Sequence, residues 1–276
     1  MGEGPDTQSL GGPAEAYDRH VGRYGAKLAS GLVDVADVRR GERALDVGCG
    51  PGPLTWVLAD RLGADNVAAI DPFEAFVAAC GARVPGADVR VAVAEELPFA
   101  ANEFDLVLAQ LVVQLMGDRD RGVREMARVA RPGGLVAACV WDSRAMPLLQ
   151  SFWDAALAVA PEEAGALDEG KRIGYPVPGD LGDLWEACGL LDVSTGELRV
   201  ETSYKSFDDL FAPFAAGAGH SGATFLTLDE AKQQRLRAEA HRLLGRPDGP
   251  LTLTARAWWV CGRVAQPVGR PAGSTS

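Results

Sequence analysis

Apolar and polar positions follow two rhythms along this chain. From about Glu42 to Val140, short unbroken apolar runs are separated by stretches in which apolar residues recur every three or four positions. The first rhythm is that of strands covered on both faces, the second that of amphipathic helices. Arg43 to Val47 reads as a strand ending at a glycine turn, and Leu54, Val57, Leu58 and Leu62 follow at helical spacing. Val67 to Ile70 is a second strand, ending at Asp71, and Phe73, Phe76, Val77 and Cys80 mark one face of the next helix. Val89 to Val93 and Phe104 to Gln110 are the third and fourth strands. Arg121 to Ala130 is helical, Arg131-Pro132-Gly133-Gly134 stops it, and Leu135 to Val140 is a fifth strand. This alternation predicts a parallel sheet with helices on both faces.

The second half is less regular. "FWDAALAV" and Asp180 to Cys188 read as helices, and Asp192 to Glu201 as a strand. The segment from Ser206 to Gly249 holds "FDDLFAPFAAG" and a helix opened by Thr227-Leu228-Asp229-Glu230, a capping-box pattern. In Leu251 to Val260, Leu251, Leu253, Ala255, Ala257 and Trp259 alternate with Thr252, Thr254, Arg256 and Trp258, as in a half-buried strand. The insertions between late strands predict a helical cap over the C-terminal edge of the sheet, where open α/β folds bind ligands. The expected organisation is a single domain over 14–265, with cap segments at about 14–36, 143–177 and 206–249. Mobile Gly/Pro/Ser-rich tails are expected at 1–13 and 266–276.

Charge and composition narrow the field. The formal net charge is −11 over 276 residues. A nucleic-acid binder concentrates Lys and Arg against phosphates, so this excess of acid argues against nucleic acid. No apolar run is long enough to span a bilayer, and "MGEGPDTQSLGGP" has neither the basic start nor the apolar middle of a signal peptide. A cytoplasmic location, with no membrane partner, is the expectation. Cys49, Cys80, Cys139, Cys188 and Cys261 contain no Cys-x-x-Cys pair and read as free thiols, with no metal site. The pattern does not fix an oligomeric state.

The candidate chemistry is in "ALDVGCGPGPLT", Ala44 to Thr55. It follows a strand and opens a helix, the context in which a glycine turn meets a nucleotide. Gly48 and Gly50 let the chain turn sharply and leave no side chain in the way of a ligand. A dinucleotide fingerprint needs a third glycine where Pro53 stands, and a phosphate-cradling loop needs Gly-Lys-Ser/Thr, which is absent. A zwitterion suits the turn better than a pyrophosphate: the backbone amides could take its carboxylate, and Asp46 its amine. Asp71 can accept two ribose hydroxyls, or it can cap the helix beyond Pro72.

"ALDVGCGPG", "AIDP", "AEELPF", "FDLVLAQLVVQLM" and "EMARVARPGG" together resemble the successive motifs of class I S-adenosylmethionine-dependent methyltransferases. The similarity is to the small-molecule group that includes the ubiquinone/menaquinone-type and methyltransferase type 11-like enzymes. It extends to "YDRHVGRY", "VWD…FWDAA" and "LTARAWWV", and so covers most of the chain. The resemblance implies a Rossmann-like α/β fold: a seven-stranded, mostly parallel sheet with an antiparallel last strand. It implies S-adenosyl-L-methionine as cofactor and methyl transfer to a small-molecule acceptor, with specialised metabolism as one setting.

Carried over by position, the resemblance puts Asp46, Gly48, Cys49 and Gly50 at the methionine part and Asp71 on the ribose. Pro72 and Phe73 lie near the adenine, with Ala94 and Glu95 on its other side, and Gln110 and Leu111 beside the sulfonium. Arg23 and Tyr24 match an Arg and an aromatic near the methionine end; covering the sheet edge is the alternative role. Val93 stands where the family often has an Asp that accepts from the adenine amino group.

No triad or metal cluster is needed, because the cofactor supplies the electrophile and the protein orients. For a general base, His20 in the amino-terminal cover and His220 in "GAGHSGA" are candidates, and His241 reads as a solvated helix position. Trp141, Trp153 and Tyr175 could wall a pocket or sit in the core. The rival function is a cofactor-binding protein of the same fold that transfers no methyl, as a regulatory subunit or an enzyme of another reaction.

Overall fold

The structure is a computed structural model that describes residues 22–142, 145–165 and 177–266. Its strands are β1 (Ala44–Val47), β2 (Val67–Asp71), β3 (Asp88–Val91), β4 (Phe104–Gln110), β5 (Ala130–Trp141), β6 (Leu191–Tyr204) and β7 (Leu251–Arg263). They form one sheet in the order β3-β2-β1-β4-β5-β7-β6. The first five run parallel, and β7 lies antiparallel between β5 and β6. This is the expected seven-stranded, mostly parallel Rossmann-like sheet.

Every residue of β1 and β2 is buried, which is why their sequences run apolar without alternation. The order of the sheet places β1 beside β4, so crossovers depart in opposite directions from that pair. The crevice outside the carboxyl ends of such strands is where a ligand fits.

Helices cover both faces. On one face lie α1 (Gly22–Val35) and α2 (Pro53–Leu62), whose Leu28, Leu32, Leu54 and Leu58 are fully or almost fully buried. Beside β2 and β3 runs α3 (Glu74–Arg83). The opposite face carries α4 (Arg119–Val129) and α7 (Pro178–Ala187), with Met126, Leu181 and Trp185 at the centre of a second core. The Trp185 indole donates to Val136 O at 3.0 Å, so its one polar atom is satisfied. Burying a side chain of this size contributes about 1.5–3 kcal/mol.

The described parts of the cap segments are helical: α5 (Pro147–Val159), α6 (Pro161–Gly165), α8 (Phe207–Ala215), α9 (Gly219–Thr227) and α10 (Glu230–Leu243). They join the first core, with Phe152 stacked on Phe214 at 4.7 Å. Arg23 at the start of α1 donates to both oxygens of Asp209 on α8, at 3.0 and 2.6 Å, and ties the cover to the cap.

Three local expectations are corrected. β5 begins at Ala130, not Leu135, because Arg131 to Gly134 continue as strand once α4 has ended at Val129; Gly133, at φ 78°, takes the bend. β3 ends at Val91, opposite Asp71, where its only partner strand also ends, so Val93 lies outside it. The last cap helix is capped by Asp229, which accepts from Lys232 N–H at 2.8 Å; Thr227 belongs to the preceding helix. The capping oxygen must stand directly before the first helical residue, Glu230, and Asp229 occupies that position.

Candidate functional site

The glycine turn is pinned from behind. Gly48 and Cys49 N–H both donate to Ile70 O at 2.8 Å, and Gly52 N–H donates to Cys49 O at 2.9 Å. Gly50 N–H donates to Asp71 Oδ2 at 2.9 Å. The expectation that these amides take a ligand carboxylate is thereby corrected: the protein already uses them. What the glycines supply is room and left-handed backbone, at φ 73°, 52° and 90° for Gly48, Gly50 and Gly52. A Cβ on Gly48 would collide with Val112, and one on Gly52 would come within 2.9 Å of Cys80 Sγ. A Cβ on Gly50 would meet nothing within 4 Å.

In front of the turn is a cavity of about 320 Å³ at the carboxyl end of the sheet. Gly48, Gly50 and Asp71 form its floor, Pro72, Phe73 and Phe76 one side, and Val93, Ala94 and Glu95 the next. Gln110, Leu111, Val112, Leu115 and Met116 close the remaining side. Gly48, Gly50, Asp71, Pro72, Phe73, Ala94, Glu95, Gln110 and Leu111, all singled out in the sequence, thus line one cavity. Val112, Leu115, Met116 and Phe76 were not singled out beforehand, although they lie inside or next to the quoted motifs.

Asp71 is almost fully buried. Its second oxygen, Oδ1, accepts from Phe73 N–H at 3.0 Å. The residue flanking α3 is Phe73, so Asp71 is not the cap of that helix and instead bridges the turn and β2. Burial raises its pKa, and the two backbone N–H donors oppose that rise. Each oxygen keeps a lone pair for a further donor.

Asp46 sits deeper, at 1% exposure. Thr55 Oγ1 donates to its Oδ2 at 2.6 Å, while Oδ1 has no partner among the described residues. Desolvation pushes its pKa up to about 7, the Thr55 hydrogen bond opposes that, and the nearby Asp71 charge adds to it. A buried carboxylate oxygen left without a donor is a place where a cationic group gains more than it would in water. Gln110 is similar: its Nε2 donates to Gly25 O at 3.2 Å, and its buried Oε1 has no partner.

Leu111, at φ 64°, adopts a left-handed conformation that costs a non-glycine residue about 1–2 kcal/mol. Its N–H donates to Cys139 O at 2.8 Å, and its carbonyl accepts from Gln114 Nε2 at 2.8 Å, which holds it there. The strain turns the chain off β4 so that residues 112–117 fold back as a wall.

Other expected site residues lie elsewhere. Cys49 is buried beneath the turn and is not part of the cavity wall. Tyr24 is fully buried, edge-on to Trp141, with its hydroxyl accepting from Tyr204 Oη at 3.2 Å. Arg23 lies over the Tyr204 ring and pairs with Asp209. Neither residue lines the cavity. His220 is on α9, 6.2 Å from the Trp153 ring, within the cap and not in a loop. His20 and Tyr175 lie outside the described residues. His241 packs at 4.5 Å on Phe207. Among the described residues, no group of His, Cys, Asp and Glu could hold a metal ion.

The family model described as a methyltransferase domain matches residues 45–138, the segment that carries the turn, Asp71 and the β4 wall. Residues 45–138 thus resemble a methyltransferase domain. It is 39% identical over 139 residues to methyltransferase GfsG of Streptomyces halstedii, covering 48% of this chain and 47% of that protein. It is 32% identical over 151 residues to a malonyl-[acyl-carrier protein] O-methyltransferase of Pseudescherichia vulneris, covering 53% and 57%. The chain thus spans about half the length of the curated relatives it matches. A putative type II methyltransferase structure from Anaeromyxobacter dehalogenans aligns with a TM-score of 0.60 at 25% identity, over 88% of this chain and 98% of that one. The similarity to the curated relatives extends over about half of this chain, and the structural similarity over 88% of it.

Proposed function

We propose that the chain binds S-adenosyl-L-methionine in this cavity and transfers its methyl group to a small-molecule acceptor. The observation that carries the reading is the charge of the wall. Among the described residues, two acids, Asp71 and Glu95, line the cavity with no Lys or Arg beside them, and Asp46 Oδ1 lies buried without a partner. A pyrophosphate would be repelled there, whereas a ligand carrying an ammonium and a sulfonium is attracted.

The residues fit that ligand. Asp71 would accept from the ribose hydroxyls, Phe73 and Ala94 would enclose the base, and Asp46 with Gln110 Oε1 would face the cationic end. When bound, the cofactor supplies an electrophilic methyl. The protein's part is orientation and exclusion of water. Leu111 and Val112 shape an apolar wall, and Gln110, its amide fixed through Gly25, can only accept at Oε1. Among the described cavity-lining residues there is no His.

The second reading is a cofactor-binding protein of the same fold that transfers no methyl. Calorimetry with S-adenosylhomocysteine tests the first step, and absence of binding overturns the reading. Incubation with S-adenosylmethionine and candidate acceptors, read by mass for a gain of CH₂, separates the two.

A further inference from the structure

The first turn of α1 has two sides with different attachments. Arg23, Tyr24 and Lys27 fall within about 100° of one another around the helix, and Gly25 lies about 160° from Arg23 and Lys27. Arg23 donates to both carboxylate oxygens of Asp209 at 3.0 and 2.6 Å and lies 5.1 Å over the Tyr204 ring. The Tyr24 hydroxyl accepts from Tyr204 Oη at 3.2 Å, and Lys27 Nζ donates to Glu201 O at 2.6 Å. One side of the turn is thus fastened to the end of β6 and the start of α8, the base of the cap. Asp209 is itself held: its Oδ2 accepts from Lys205 N–H at 3.0 Å, and its own N–H donates to Ser206 Oγ at 3.2 Å.

The other side meets the wall of the cavity. Gly25 O accepts from Gln110 Nε2 at 3.2 Å, using the lone pair that its own helical bond leaves free. Glycine is unfavourable inside a helix. A Cβ at this position, however, would stand 3.3 Å from Pro53 Cβ and 3.9 Å from Gln110 Nε2. The missing side chain lets the backbone of α1 come down on the start of α2 and on the Gln110 amide. Gln110 is buried, lines the cavity, and its Oε1 has no partner among the described residues.

We propose that Arg23, Gly25 and Asp209 are positioning residues: the first turn of α1 is a strut between the cap and Gln110 that keeps Oε1, not Nε2, toward the sulfonium. The inference rests on the cofactor reading above. A side-chain amide presents either an acceptor or a donor, and its two ends carry opposite partial charge. With Nε2 tied to Gly25, the oxygen faces the ligand and attracts a positive sulfur. With the strut slack, the amide turns over, and its N–H groups repel the same charge. S-adenosylmethionine carries that charge and S-adenosylhomocysteine, a neutral thioether, does not. The strut therefore acts on the ratio of the two affinities. Neither Arg23 nor Asp209 lines the cavity, so both act through Gly25 and Gln110.

The test measures binding of S-adenosylmethionine and of S-adenosylhomocysteine to the full chain by calorimetry, with circular dichroism on each variant. In Arg23→Met the ratio of the two affinities should shift against S-adenosylmethionine by about fivefold, the worth of one ordinary hydrogen bond. Gly25→Ala, which lifts the strut from its other side, should shift it the same way, and it serves where Arg23→Met does not fold. Arg23→Lys, which keeps a donor to Asp209, should recover most of the wild-type ratio. In a Gln110→Leu background, Arg23→Met should shift the ratio no further, because the route runs through Gln110. An unchanged ratio in folded Arg23→Met or Gly25→Ala overturns the proposal, even where both affinities fall together, and so does a further shift in the Gln110→Leu background. A wild-type chain that binds neither ligand overturns the cofactor reading and the strut with it. One that binds both, and whose variants keep the ratio, overturns the strut alone.

Discussion

The Thr55 hydroxyl donates to one oxygen of Asp46 at 2.6 Å, and the other oxygen is buried with no donor among the described residues. A half-satisfied carboxylate in the interior is costly to ionise, which is why its pKa rises to about 7. Its folded value lies above its unfolded one, so folding takes up a proton. That contribution to stability is complete in acid and is lost as pH rises through about 7. The thermal midpoint of the ligand-free protein should therefore fall between pH 6 and pH 8, by about 2–4 °C for each kcal/mol lost. Asp46→Asn should flatten that fall. Saturating S-adenosylhomocysteine should shrink it too, because its ammonium favours the ionised form. Thermal scans at both pH values check this; an identical fall in wild type and Asp46→Asn would remove Asp46 as its source.

Asp71 faces the cavity and also holds two backbone donors, so its loss should weaken binding and cost some stability as well. Asp71→Ala should weaken S-adenosylhomocysteine binding by about tenfold to a hundredfold, the range for one charge-assisted hydrogen bond of about 1.5–3 kcal/mol. Asp71→Asn, which keeps acceptor capacity at Oδ1, should lose less. Calorimetry beside circular dichroism separates lost affinity from lost structure.

The parts of the site written in local sequence were the legible ones. Asp71 could be placed because a buried strand ends there, and the turn because glycines follow a strand and precede a helix. The engaged amides of Gly48 and Cys49 could not be foreseen, since their acceptor, Ile70 O, lies on the neighbouring strand. Likewise Arg23 and Tyr24 matched a family position, but Asp209 and Tyr204, nearly two hundred residues away, claim them. The sheet was legible because alternation of strand and helix leaves few topologies. The extension of β5 back to Ala130 was not, because Pro132 and Gly133 look like a stop until β7 is alongside: Gly133 N–H donates to Val264 O at 2.9 Å.

Val93 lines the cavity at 46% exposure, and no described hydrogen bond depends on its side chain. Val93→Asp offers a carboxylate at the side where the adenine amino group is expected. It should raise affinity for S-adenosylhomocysteine about two- to tenfold, from about 0.5–1.5 kcal/mol per hydrogen bond. Unchanged affinity would place the base elsewhere in the cavity.

Gly48 and Gly50 look equivalent in sequence, and the structure makes them opposites. Both have positive φ, so alanine at either is strained by about 1–2 kcal/mol. At Gly48 the added methyl also drives into Val112, which β4 and the strained Leu111 hold in place. Gly48→Ala should lower the thermal midpoint well beyond the backbone cost, and Val112→Ala in the same chain should restore part of the loss. At Gly50 the methyl meets no atom of the protein within 4 Å and enters the cavity. Gly50→Ala should therefore stay folded, with only the backbone cost, yet lose S-adenosylhomocysteine affinity by tenfold or more. Thermal scans and calorimetry on the three variants decide the matter. Equal loss of binding and stability at both positions would mean that the turn serves folding alone, whereas the expected split assigns Gly48 to the packing of β1 against the β4 wall and Gly50 to the ligand.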